Sequence, residues 1–316
     1  MKKIIIINAN DSGQRLDKFM TKNFPSLPQS TLYKAIRKKD VKINKSRCEA
    51  NQKLNIGDEL YMFLPEEFLG QKPKEYDFLK APAQLDIVYE DENIMLLDKK
   101  AGLIVHQDEN YYFDCLLFRI LHYLYDKKEY KPEEENAFSP ALVNRIDRNT
   151  AGIVIAAKNA EALRIMNQKL KDREMDKFYL LLVQGVPKVK EATLKAFLEK
   201  NERQNRVYIS DNPTKKTVTI LTKYKVLEEK SDRSLLEVEL LTGRTHQIRA
   251  HLAHIGHPIL GDGKYGKNEV NKKLGLKFQA LQSYKLVFNF TTDAGILSYL
   301  NHKEFKSKKP WFMKYL

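Results

Sequence analysis

The sequence predicts an α+β chain in two parts, a small basic N-terminal module and a larger domain dominated by β-structure. Three observations carry that reading. With 316 residues the chain has room for about two domains. Residues 65–84, where Pro65, Pro73 and Pro82 stand among charges, read as a linker. Charge also divides there: residues 1–60 hold 13 basic and 6 acidic side chains, a net +7, half of the whole chain's +14. The expected boundaries are therefore 1–64, a linker at 65–84, and 85–316.

Within the first part, Ile4–Ile7 is an apolar strand. Leu16, Phe19 and Met20 recur at helical spacing, and Pro25 and Pro28 interrupt the chain after them. Ser30 or Thr31 is the expected cap of a second helix. That helix sets Leu32, Ala35 and Ile36 inward and Lys34, Arg37 and Lys38 outward. Val41–Asn44 alternates like a half-buried strand, and Ile56–Leu60 turns into another. Cations on a rigid helix beside a short hairpin suit the phosphates of folded RNA.

The second part opens with two paired strands, 85–90 and 94–98, around Asp91-Glu92-Asn93. A helix near 114–125 and a charged loop from Asp126 to Asn136 follow. Ile153–Ala157 is continuously apolar, as a buried strand should be, and 159–173 is an amphipathic helix. The segments 178–184, 216–227 and 234–241 read as β, giving a sheet-dominated domain. The basic, aromatic last eleven residues receive no role from sequence.

Composition excludes several classes. No apolar run approaches the roughly 18 residues of a membrane span. Ile4–Ile7 is too short for a secretory signal core. Two distant cysteines, Cys48 and Cys115, make neither a disulfide framework nor a zinc ribbon and fit a reducing compartment. A cytoplasmic location is expected. The basic excess, with a pI near 9.4, favours a polyanionic partner through phosphate neutralisation.

Reactive side chains concentrate in three segments. Residues 144–152, Asn-Arg-Ile-Asp-Arg-Asn-Thr-Ala-Gly, lead into the buried strand. Asp147, between Arg145 and Arg148, suits a nucleophile that stays ionised better than a proton donor; the same trio would equally lock a turn. In the second, Asp176 to Gly185, Tyr179 enters a strand behind Lys177. The third runs from Thr242-Gly243-Arg244 through Arg249 to Gly261-Asp262 and Tyr265-Gly266. His246, His251, His254 and His257 lie close in it, but their spacing matches no zinc motif, and the Gly-x-x-x-x-Gly-Lys-Ser/Thr of a phosphate loop is absent. A glycine turn starting a helix at about Thr245 would instead present Arg244 and Arg249 to an anion, with the histidines as hydrogen-bonding structure.

Together the three segments resemble the RluA-type pseudouridine synthases, which convert uridine to pseudouridine in ribosomal or transfer RNA. Residues 144–152 match His-Arg-Leu-Asp-x-x-Thr-Ser/Thr-Gly, 177–185 a Lys-x-Tyr strand ending in Gly, and 242–251 with 256–266 the Thr-Gly-Arg-x-His-Gln-x-Arg-x-His and Gly-x-Pro-Ile-x-Gly-Asp-x-x-Tyr-Gly runs. Asp98–His106 is similar to Lys-Pro-x-Gly-Leu-x-Val-His, and residues 13–62 resemble the S-four-like RNA-binding domain. Departures are Asn144 for His, Ile146 for Leu, Ala151 for Ser/Thr and Lys100 for Pro.

The resemblance implies a mixed, mainly antiparallel catalytic sheet and a small α/β RNA-binding domain. It makes Asp147 the nucleophile, Arg249 its partner, and Tyr179 a stacking face and hydroxyl at the target uracil. Arg145 would fill the space left by a flipped nucleotide, with Arg148 and Arg244 near phosphates and Lys34, Arg37 and Lys38 on the RNA-binding helix. It implies no metal and no organic cofactor. The expected partner is RNA, ribosomal RNA favoured and transfer RNA the alternative, and a monomer is expected. The competing reading is a non-catalytic RNA-binding or ribosome-assembly factor on the same fold; a third is a histidine-dependent metal hydrolase.

Overall fold

The structure is a computed structural model describing residues 2–69, 75–108 and 113–316. At the N-terminus, β1 (Lys2–Ile6), β2 (Val41–Ile43), β3 (Ser46–Arg47) and β4 (Glu59–Phe63) form an antiparallel sheet in the order β1-β4-β2-β3. Helices α1 (Leu16–Asn23) and α2 (Gln29–Arg37) cover one face. Leu16, Phe19 and Met20 meet Leu32, Ala35 and Ile36 over Val41, Ile43, Leu60 and Met62, all buried. The inward set therefore agrees with the helical periodicity, and Lys34, Arg37 and Lys38 stand exposed on the opposite side of α2. The capping expectation is corrected. Pro28 occupies the N-cap position, so Ser30 and Thr31 lie inside the first turn and cap nothing; the extended backbone at Pro28 (φ −61°, ψ 140°) brings the helix start forward.

The predicted linker begins and ends in short 3-10 turns. Leu69, just after the first turn (Glu66–Phe68), packs into the N-terminal core. Phe78, in the second (Asp77–Lys80), packs against Tyr76 and against Tyr125 and Tyr130 of the next domain. Residues 70–74 of that linker, with Pro73, lie outside the described residues.

A single eleven-stranded sheet dominates the rest. Its strands are β5 (Ile87–Glu90), β6 (Ile94–Lys99), β7 (Ala141–Leu142), β8 (Ala151–Ala157), β9 (Met175–Gln184), β10 (Glu191–Asn201), β11 (Arg206–Ser210), β12 (Val218–Glu229), β13 (Arg233–Glu239), β14 (Leu281–Phe288) and β15 (Glu304–Lys306). Nine run in the order β11-β10-β12-β13-β9-β14-β8-β6-β5; β15 also pairs with β14, and β7 with β8. Only β14 and β8 are parallel among these pairs. The helices are α3 (Leu116–Asp126), α4 (Ala160–Lys171), α5 (Gln247–His254) and α6 (Asn268–Lys273). Asn159 caps α4 by accepting from the Ala162 amide. This mixed, mostly antiparallel sheet with a small α/β unit ahead of it is the fold class the sequence predicts.

β14 is what brings distant segments together. Its Ser283 lies opposite Gly152 at the start of β8 on one side and opposite Tyr179 of β9 on the other. Gly152 has φ +106°, and a Cβ there would sit 2.1 Å from the Ser283 carbonyl oxygen, so only glycine lets the two strands approach. The segment after α5 is fastened to β9 as well, through the Gln184 amide to the Pro258 carbonyl and the Leu260 amide to the Leu182 carbonyl, both at 2.9 Å. The C-terminal aromatics now have a place: Phe312 is fully buried in the cluster around β9 and β13. No helix among the described residues is long and apolar enough to cross a membrane.

Candidate active site

Asp147 lies in the loop that feeds β8, four residues before that strand begins. Two neighbours shape this loop. The buried Thr150 hydroxyl accepts from Gln279 Nε2 at 2.7 Å. Lys99, fully buried at the end of β6, donates to the carbonyls of Lys100, Leu103 and Arg148 at 3.0, 2.8 and 2.9 Å. Burial pulls the Lys99 pKa down to about 7, opposed by the charge of nearby Asp147. Three carbonyl acceptors use all three protons of an ammonium, which a neutral amine could not supply. The residue after Asp147 is thus held by a buried cation.

Arg249 comes from α5, whose first turn faces the loop. Its Nη1 donates to Asp147 Oδ2 at 2.7 Å, while Nε and Nη2 grip both oxygens of Asp262 at 2.7 and 2.9 Å. Asp262 is fully buried, and its Oδ1 also accepts from the Lys264 and Tyr265 amides. Burial alone would raise the Asp262 pKa, but the guanidinium and the two amides bring it below the ordinary carboxylate value. The Asp147 side chain keeps 27% exposure, and its Oδ1 accepts no hydrogen bond among the described residues. The arrangement is an anchored cation beside a partly exposed carboxylate, one oxygen of which accepts no hydrogen bond among the described residues.

Tyr179 is buried on β9 opposite Ser283, and its phenol has a pKa pushed up to about 12, chiefly by burial with a contribution from the Asp147 charge. It is a neutral phenol at physiological pH. His246 completes the surroundings, with Nε2 3.8 Å from Asp147 Oδ2 and Nδ1 3.0 Å from the Tyr265 hydroxyl oxygen. The helix begins at Gln247, two residues later than predicted, because His246 takes a left-handed conformation (φ 52°) that precedes the helix. Of the two arginines expected to face an anion, Arg244 is exposed and Arg249 is turned inward onto carboxylates.

The remaining sequence candidates sit apart from this centre. Arg145 and Arg148 are exposed at its rim. Arg148 Nε donates to the Gly102 carbonyl, and Arg145 is near enough to His106 to add to the lowering of that imidazole's pKa by burial. Lys34, Arg37 and Lys38 belong to the N-terminal unit. The other histidines take separate partners: His251 the Thr222 hydroxyl, His254 Asp211, His257 the Gln184 carbonyl. No group of side chains suited to a metal ion occurs among the described residues. Asn144 accepts from the Ile155 amide at 2.8 Å, so the residue in place of the family's usual histidine bonds to β8. Lys99 and Asp262 were missed as site residues. Both stood inside quoted motifs, and the available signal was a charged residue in a glycine-turned segment that must become buried.

Comparison with known proteins agrees with this geometry. The family model for RNA pseudouridylate synthases matches residues 93–254, about half of the chain. A ribosomal large subunit pseudouridine synthase C from Escherichia coli K12 is 34% identical over 281 residues, spanning 86% of this chain and 82% of the relative. The chain belongs to the RluA-type RNA pseudouridine synthases. A relative from Aquifex aeolicus, an RNA pseudouridine synthase, is 31% identical over 84% of this chain and 81% of its own length. Among solved structures, human RNA pseudouridylate synthase domain containing 1 shares the fold with a TM-score of 0.57 at 21% identity, covering 76% of this chain and 87% of that one. Membership supports isomerisation of uridine to pseudouridine in RNA as the general activity of this synthase.

Proposed function

We propose that this synthase isomerises specific uridines of large-subunit ribosomal RNA, with Asp147 as the nucleophile. The observation that carries the reading is the partly exposed Asp147 carboxylate itself: one oxygen tied to Arg249 at 2.7 Å, the other without a hydrogen bond among the described residues. Its relatives from E. coli and Salmonella typhimurium are ribosomal large subunit enzymes by name, and each is matched over more than four-fifths of its length. The basic N-terminal unit, a net +7 over residues 1–60, supplies the attraction to a large polyanion.

The reaction is atom-neutral. The bond from ribose C1′ to uracil N1 breaks, the base rotates, a new bond forms from C1′ to C5, and the C5 proton leaves as N1 gains one. A carboxylate nucleophile must be ionised for cleavage at the anomeric carbon, and Arg249 holds Asp147 Oδ2 in place at 2.7 Å. Arg249, gripped by Asp262, cannot follow the RNA phosphates, so its charge stays with the reacting group. Tyr179, a neutral phenol, offers a stacking face and a hydroxyl for proton relay at the base, not a free anionic base. The target uridine must leave its stack at a cost of a few kcal/mol. Arg145 takes its place there, and Arg148, Arg244 and, on α2, Lys34, Arg37 and Lys38 meet phosphates.

The test is pseudouridine mapping on large-subunit RNA from a strain lacking the gene, complemented with the wild-type or the Asp147→Asn chain. Modified positions that vanish in the deletion and return only with wild type support the reading. Restoration by Asp147→Asn would remove Asp147 from the chemistry, and an unchanged large-subunit map would remove that RNA as substrate.

A further inference from the structure

Tyr265 stands between the β10–β11 hairpin and the reacting carboxylate. The backbone amide of Val207, at the start of β11, donates to the Tyr265 hydroxyl oxygen at 2.9 Å, and His246 Nδ1 lies 3.0 Å from the same oxygen. The ring is flanked by two guanidiniums, Arg206 at 5.2 Å and Arg249 at 5.3 Å from its centre. Lys264 Nζ donates to the Asn205 carbonyl in the hairpin turn, so the two segments are joined at two points.

Proton accounting fixes the direction of this chain. The phenol oxygen is used as an acceptor by Val207, and among the described residues its own proton has one acceptor, His246 Nδ1. His246 must then carry its proton on Nε2, the nitrogen 3.8 Å from Asp147 Oδ2. The opposite tautomer would turn a lone pair toward a carboxylate and leave the phenol proton without a partner. The charged groups around His246 from every neighbouring segment are Asp147 of the loop, Arg249 of α5, and Asp262 and Lys264 of the turn after it. With burial they lower its pKa overall, so the ring is neutral.

We propose that Tyr265 is a positioning residue: it locks His246 as the Nε2–H tautomer facing Asp147 Oδ2, and so connects the turn end of the β10–β11 hairpin to the reacting carboxylate. Arg249 and the imidazole N–H then both address Oδ2, which leaves Oδ1 to face the nucleotide. The proposal rests on Asp147 as the nucleophile, but its primary readout does not. Side-chain nitrogen NMR of the full chain labelled at histidine, with His246 identified by its loss in His246→Asn, reports the tautomer directly. The wild-type spectrum should show pyrrole-like Nε2 and pyridine-like Nδ1; the reverse pattern would overturn the relay without any variant.

Tyr265→Phe keeps the ring between the two guanidiniums and deletes only the hydroxyl. It should release His246 into a mixture of tautomers, lower kcat about tenfold (~1.4 kcal/mol) with KM for RNA little changed, and shift the acidic limb of the pH–rate profile upward as His246 protonates more readily. His246→Gln can place an amide N–H where Nε2 stands and has no tautomer to lose. Adding Tyr265→Phe to it should therefore cost much less than tenfold, a non-additivity that a merely structural tyrosine would not show. Full additivity, or an unchanged tautomer in Tyr265→Phe, would sink the proposal. An active Asp147→Asn enzyme with the expected tautomer would overturn the nucleophile assignment alone.

Discussion

Arg249 bonds Asp147 with one nitrogen and Asp262 with two, so a single buried guanidinium serves one carboxylate that is fully enclosed and one that is open. The asymmetry has a purpose in energetics. A buried arginine without a carboxylate would cost several kcal/mol, and Asp262 alone is enough to neutralise it. Asp147 is therefore not needed to hold the arginine in the core. Its charge is available for chemistry.

The first expectation follows. Asp147→Asn should leave the fold and RNA affinity nearly intact, because Arg249 keeps its bidentate partner. Pseudouridine formation should fall by more than about a hundredfold, as for loss of an essential group. Thermal unfolding and single-turnover assays on the same preparation check both halves, and retained turnover above that level would sink the assignment.

Asp262→Asn should behave in the opposite way. The amide can still accept from the Lys264 and Tyr265 backbone, but the arginine loses its enclosed counter-charge and must rely on Asp147. We expect destabilisation of about 3 kcal/mol, at the low end for breaking a buried pair, together with a fall in kcat because Arg249 is no longer held in register. A variant with wild-type melting temperature and wild-type kcat would show that Asp262 anchors nothing of consequence.

Much of this centre was legible before the fold was known, and the reasons are specific. Asp147, Tyr179 and Arg249 stand in short motifs whose residue types are constrained by chemistry, and apolar periodicity located β8, α2 and α4 directly. What the chain could not disclose was juxtaposition. Tyr179 meets the Asp147 loop because β14, nearly a hundred residues later in sequence, lies between β9 and β8. Strand β10 escaped notice because its pattern is half exposed and interrupted by charges of both signs, and the terminal Trp311–Tyr315 turn because a core role for Phe312 depends on where β13 ends up. Lys99 drew no reading of its own from the sequence; only the three carbonyls gathered around it give it a place in the interior.

His251 carries a pH prediction. Buried against the Thr222 hydroxyl, it has a pKa lowered to about 4, first by burial and then by the neighbouring His254. An unfolded histidine takes its proton near pH 6.5. Between those values the unfolded chain binds a proton that the native chain refuses, so stability falls as pH drops from about 6.5 toward 4. The loss should reach roughly 2 kcal/mol by about pH 5, at 1.4 kcal/mol per pH unit. Urea unfolding at about pH 7 and pH 5 measures it, and His251→Gln should flatten the difference. An equal slope in that variant would place the acid sensitivity elsewhere.

Removal of residues 1–64 should separate RNA anchoring from catalysis. The N-terminal unit touches the large domain mainly through polar groups. Asn8 and Asn10 donate to Glu135, Asn136 donates to the Ile6 carbonyl and to Asp11, Arg164 donates to the Ser12 carbonyl, and Asn10 accepts from the Ala160 amide. Each such bond contributes only about 1 kcal/mol net, and water can replace the partners on a newly exposed surface. Ala137 is the small apolar side chain that packs on the N-terminal core from the other domain. Helix α4 keeps its own Asn159 cap. The truncated chain should therefore fold and retain slow turnover on a minimal stem-loop. Its RNA affinity should be weaker and less salt-dependent, because half of the net charge has gone and each lost phosphate contact removes about 0.7–0.9 from the logarithmic salt slope. Discrimination between intact large-subunit RNA and the short fragment should shrink as well. The measurements are binding against salt concentration and turnover on both RNAs, full-length chain beside truncation. Equal slopes and equal turnover would show that the N-terminal unit does not anchor the RNA, and would move recognition to the exposed arginines around Asp147.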